Sequence, residues 1–145
     1  KLPEANCAFG REQLKKLDQF RQEREKNFIY LYTKLFDTGV FLDLVVDWKD
    51  TEISWFGFPL TLKDGFGSRN ELGDFLERNG IRHRPFFAGN ILRHEPFSHL
   101  TGKFPVADKL MRDSLFVGCW PGLKKEQLDY IVEKVKEWAC LQSHV

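Results

Sequence analysis

The sequence predicts an α+β fold with about three mainly antiparallel strands packed against helices and preceded by one long helix. Three observations carry this. Helical apolar periodicity alternates with short β-branched and aromatic runs. The runs are too few for a doubly wound sheet, and the first of them contains Pro59, which a central strand does not accept.

From Gly10 to about Phe36, Leu14, Leu17, Phe20, Phe28, Leu31 and Leu35 fall on one side of a helix, with QEREK on the other. At about 1.5 Å per residue that helix spans roughly 40 Å, long enough to reach another domain or subunit. Residues 39–50 read as extended and irregular, and EISWFGFPLTL (52–62) as a strand placed by Pro59 at an edge or bulge. In the next segment Ser68 and Glu71 form a capping-box pair, Leu72, Phe75 and Leu76 an apolar face, and Gly80 a left-handed exit. Residues 81–87 give a second strand, 106–112 a short helix, 115–120 a third strand, and Pro121-Gly122 a turn. Leu128, Ile131, Val132, Val135 and Trp138 define the core face of a last helix, with Glu126, Asp129, Glu133 and Lys136 turned to water.

With 145 residues the chain forms one domain, 1–38 as the long helix and 39–145 as the α+β body, able to bury roughly two-thirds of its unfolded surface. Its 22 Lys and Arg against 21 Asp and Glu leave a net charge of +1, which excludes a global attraction to nucleic acid or an acidic membrane. There is no signal peptide and no apolar run of spanning length, so a cytoplasmic setting is expected. Cys7, Cys119 and Cys140 are far apart, at no metal or redox spacing. Aromatics reach 14%, more ring surface than a core of this size needs, and the excess points to a ligand pocket or an absent neighbour.

The segment IRHRPFFAGNILRHEPF (81–97) gathers cations, histidines and phenylalanines around an Ala-Gly-Asn turn. A guanidinium holds a phosphate or carboxylate through two parallel hydrogen bonds, and phenyl rings stack on a sugar or base, which singles out Arg84 and Arg93. The same mixture also suits single-stranded RNA, against which the balanced charge and the missing sheet signature count. His83, His94 and His99 have spacings of 11 and 5, which match no common metal pattern. No nucleophile elbow, zincin motif, Walker loop or full dinucleotide fingerprint is present, and Gly65-Phe66-Gly67 alone reads as a loop, so no catalytic residue and no metal ligand is assigned.

Four segments in order resemble the C-terminal part of the DegT/DnrJ/EryC1/StrS family of pyridoxal-phosphate sugar enzymes: residues 2–32, SWFGFPLTL (54–62), GIRHRPFFAGNILR (80–93) and SLFVGCWPGLKKEQLDYIVEKVKEW (114–138). SWFGF and FAGN with a following arginine are similar to the branch of CDP-4-keto-6-deoxy-glucose 3-dehydrases. His94-Glu95 and Lys124 depart from that branch's usual residues. The resemblance implies the small C-terminal domain of a fold-type I enzyme, with Arg84, Phe87, Gly89, Asn90 and Arg93 on a loop facing a nucleotide-sugar substrate. It further implies pyridoxal phosphate or pyridoxamine phosphate held in a large N-terminal domain, a homodimer, and in part of the family a reductase partner and an iron-sulfur cluster. Cys7 is out of register with that cluster's cysteines and does not support one. The expectation is therefore a domain inactive by itself, its long helix left with an uncovered apolar face. Two alternatives stay open at this point: a sugar aminotransferase of the same family, against which FAGN argues, and a free-standing non-catalytic binding domain.

Overall fold

The computed structural model describes residues 3–42 and 52–142. Its elements run α1 (Glu4–Leu14), α2 (Leu17–Leu35), β1 (Gly57–Thr61), α3 (Arg69–Arg78), β2 (His83–Pro85), α4 (Pro105–Asp113), β3 (Ser114–Gly118) and α5 (Lys125–Gln142). The strands form one sheet in the order β1-β3-β2, both pairs antiparallel. This is the expected α+β architecture. β1 is an edge strand, so Pro59 deprives no neighbour of a donor.

Alternation along the strands gives the sheet two unlike faces. Phe58 and Leu60 of β1 stand opposite Val117 and Leu115 of β3, and all four are buried. Against them pack Phe28 and Leu31 of α2, Leu72 and Leu76 of α3, and Val135 and Trp138 of α5. The other face carries Pro59, Phe116 and Arg84 in one cross-strand row. The five apolar positions expected for the last helix are all buried. α3 begins with the expected capping box: Ser68 Oγ accepts the Glu71 N–H at 3.2 Å, and Glu71 Oε2 accepts the Ser68 N–H at 2.6 Å. Gly80 leaves α3 with φ 72°.

Three boundaries differ from expectation. The long helix is interrupted at Lys15-Lys16, where the Lys16 N–H donates three residues back to Gln13 O at 3.0 Å. Only its second half is anchored: Phe28, Leu31 and Leu35 are buried, whereas Leu14 is 67% exposed and Phe20 40%. β1 pairs only from Gly57, because Trp55 leaves the sheet to stack on Phe28, ring centroids 3.6 Å apart. β2 is reduced to three residues, since the Ile81 N–H closes the end of α3 on Leu76 O (2.9 Å) and Phe87 turns the chain away at the other end. Of the stretch expected to be irregular, Val40 and Phe41 join the core and Phe41 bridges Leu62. Residues 43–51, and with them most of the stretch expected to be irregular, lie outside the described residues. Among the described residues no helix is long and apolar enough to cross a membrane.

Candidate functional site, a clamped loop beside an aromatic shelf

After β2 the chain makes a tight turn in which the Phe87 N–H donates to Pro85 O at 2.7 Å and Phe87 takes φ 50°. A bulky residue in left-handed backbone is held there by its surroundings rather than by preference. The consequence is a ring turned outward. Phe87 is 68% exposed and lies 5.4 Å from the Phe116 ring and 6.0 Å from that of Phe56, itself 66% exposed. Phe56, Phe87 and Phe116 thus make a shelf on the sheet face that the helices leave open. Arg84 flanks it, paired in register with Phe116, and its guanidinium donates to His83 O at 3.1 Å.

Behind the shelf the loop is fixed to α4. Gly89 has φ 63°, and a Cβ placed there would meet Met111 Cβ at 2.4 Å and its Cα at 3.0 Å, so glycine is required twice over. Asn90, 5% exposed, caps the 3-10 turn Ile91–Arg93 by accepting the Leu92 N–H at 3.1 Å, and its amide donates to Asp108 Oδ1 at 2.8 Å. Arg93 forks the same carboxylate, Nε to Oδ1 at 2.8 Å and Nη2 to Oδ2 at 2.7 Å. His94 Nε2 lies 2.7 Å from Ala88 O, across the loop. The Arg93 guanidinium, and after it the Asn90 amide, hold the Asp108 carboxyl down at about 2, while Asp108 raises Arg93 in turn. A shallow depression lined by Phe86, Phe87, Ala88, Gly89, Ala107 and Leu110 opens to solvent between loop and helix.

The residues expected at the site therefore divide. Arg84 and Phe87 border the shelf, whereas Gly89, Asn90 and Arg93 grip α4. Asp108, the hub of that grip, was not singled out in the sequence. It stands 15 residues from Arg93 and 18 from Asn90, and only the fold brings it there. The histidines do not converge: His83 faces Glu77 at 3.8 Å and packs on Gly73, and among the described residues no group of three or more His, Cys, Asp and Glu is placed to hold a metal.

Residues 1–136 match the model of the DegT/DnrJ/EryC1/StrS aminotransferase family. The chain is 36% identical over 143 residues to the lipopolysaccharide biosynthesis protein RfbH of Salmonella typhimurium, covering 95% of this chain and 33% of that protein. A crystal structure of GDP-4-keto-6-deoxymannose-3-dehydratase (ColD) with bound GDP-perosamine matches with TM-score 0.77 and 32% identity over 88% of this chain and 34% of that one. Escherichia coli GDP-4-keto-6-deoxy-D-mannose-3-dehydratase with bound hydrated PLP matches with TM-score 0.75 and 34% identity, over 88% and 33%. The chain spans about a third of the length of the relatives it matches.

Proposed function

The chain belongs to the DegT/DnrJ/EryC1/StrS aminotransferase family, and from that premise we propose that it forms one wall of the active site of a nucleotide-sugar 3-dehydratase. The substrate class is a nucleoside-diphosphate 4-keto-6-deoxyhexose, CDP-linked by the resemblance of SWFGF and FAGN, and the reaction removes the sugar's 3-hydroxyl. The observation that carries this reading is the shelf of Phe56, Phe87 and Phe116 with Arg84 at its border: a flat apolar face for a ring, beside a cation for phosphate. The kinship with structures whose names give 3-dehydratases supports it.

Pyridoxal phosphate or its pyridoxamine form supplies the electron sink that such chemistry needs. The described residues do not fit that group. The two most enclosed lysine side chains for which ion pairs are formed, Lys109 and Lys134, sit on carboxylates, Asp64 and Asp113 for the first and Glu133 and Glu137 for the second. Asp108, the carboxylate held lowest, is taken by Arg93 rather than aimed at a ring nitrogen. In our reading the cofactor is held by a large partner domain, the intact enzyme is a homodimer, and electrons come from a reductase where the family's iron-sulfur version applies. This chain's part is to bind and orient the nucleotide-sugar and to keep water from its apolar side. Amine transfer to the same keto-sugar is the rival within the family, and the Phe-Ala-Gly-Asn loop favours dehydration over it.

The test pairs an absorbance titration with pyridoxal phosphate and calorimetry against CDP-glucose and GDP-mannose. Expected are no stoichiometric Schiff-base band and weak nucleotide-sugar binding that Arg84→Ala removes. A stoichiometric band would overturn the division of the site, and binding untouched by Arg84→Ala would overturn its placement.

A further inference from the structure

We infer that Asp108 is a positioning residue for the nucleotide-sugar, withdrawing Arg93 from the ligand to hold the 86–93 loop and leaving Arg84 as the arginine that meets the phosphates. This rests on the reading of the ligand given above. Both Asp108 oxygens are engaged, Oδ1 by Asn90 and Arg93 Nε, Oδ2 by Arg93 Nη2. A guanidinium forked by a carboxylate has spent both its charge and its paired geometry, so a diphosphate gains little from it unless Asp108 is displaced. Arg84 differs. Its guanidinium is exposed, and among the described residues it forms no ion pair with a carboxylate.

The placement of the grip points the same way. Asp108 and Met111 are three residues apart in α4 and therefore on one face, and each takes hold of one point of the loop, Arg93 with Asn90 in the first case and Gly89 in the second. His94 against Ala88 O braces the loop from its far side. Each hold falls beyond Phe87, on Ala88, Gly89, Asn90 and Arg93, and the Phe87 ring stays 68% exposed beside the shelf. Asp108 therefore acts on the ligand through the direction in which it makes Phe87 point.

Electrostatics and positioning give opposite signs for one substitution. Asp108→Asn removes a negative charge near an anion site and releases a cation, so charge alone tightens nucleotide-sugar binding. Positioning weakens it. The experiment is an NMR titration of the full chain with CDP-glucose and GDP-mannose at fixed ionic strength, with amide exchange read at Leu92 and His94, whose N–H groups donate within the loop to Asn90 Oδ1 and Ile91 O. Asp108→Asn and Arg93→Lys, which keeps the charge but not the fork, are each expected to weaken binding and to speed exchange by about tenfold, the scale of a lost charge-assisted pair. Asp108→Glu is expected to restore most of both, and Arg84→Ala to abolish binding with exchange unchanged. Binding as tight or tighter in Asp108→Asn, with exchange unaltered, overturns the inference. No shift in the wild-type chain with either sugar overturns the reading of the ligand instead, and the exchange rates then decide by themselves whether Asp108 holds the loop.

Discussion

Replacing Gly89 by alanine tests the clamp between loop and α4 without touching a charge. Two costs follow from the geometry. At φ 63° an L side chain pays the left-handed penalty of about 1–2 kcal/mol, and the new methyl group meets Met111 Cβ at 2.4 Å and Cγ at 2.5 Å. Overpacking of that kind costs about 1–3 kcal/mol, because the Met111 backbone at 3.0 Å blocks the easiest retreat. The sum is about 2–5 kcal/mol, a fall of about 1–2.5 M in the urea midpoint for a slope of about 2 kcal/mol per M. Gly80→Ala is the control, since Gly80 has φ 72° and nothing within 4 Å of the added atom, and it should show the conformational part alone. Met111→Gly, which removes both Cβ and Cγ, combined with Gly89→Ala should recover most of the difference, a coupling that a double-mutant cycle separates from the helix cost of the new glycine. If Gly89→Ala is no less stable than Gly80→Ala, or if Met111→Gly shows no coupling to it, the loop is not seated on α4 as described.

Three further outcomes are expected. Leu115→Ala, fully buried in the central strand, should cost about 2–5 kcal/mol in urea unfolding, with no strand on either side left intact. Asp108 has a folded pKa of about 2, below its ordinary value near 3.9, so its stabilising contribution is complete above about pH 4 and is lost as pH falls toward 2; the gap in Tm between wild type and Asp108→Asn should close over that interval, and a gap independent of pH would contradict it. Burial raises the Cys119 thiol while Cys7 and Cys140 are exposed, so Ellman's reagent should titrate two thiols in the native chain and the third only on unfolding.

Most of the fold was legible because its signals are local. The Ser68–Glu71 capping box, the Pro59 edge strand and the apolar repeat of α5 each follow from residues close in sequence. The misjudged boundaries are those set by distant partners. Nothing in EQLKKLDQF marks an interruption, for it contains neither glycine nor proline, and the buried part of the helix begins only at Asn27 and Phe28. Trp55 fits a strand pattern as well as Phe58 does, and its departure is decided by Phe28, far back in the chain. The same limit hid Asp108. Arg84 and Arg93 looked equivalent as sequence, and a carboxylate 15 residues downstream separates them. The aromatic residues divide: Phe28, Phe58 and Trp138 build the core, while Phe9, Phe56, Phe87 and Trp120 stay exposed.

The strand order also sets a timetable for synthesis. β3, the centre of the sheet, is the last strand to leave the ribosome, and β1 and β2 have no hydrogen-bonding partner in the sheet until it arrives. Gly57 must wait for Gly118 and His83 for Val117. Through that interval the nascent chain carries two unpaired strands whose apolar residues, Phe58 and Leu60, have no sheet to join, the condition under which strand edges of separate chains meet. Protection during translation then falls to α2 and α3, complete before β3 emerges and already able to cover Phe58 and Leu60 from one side.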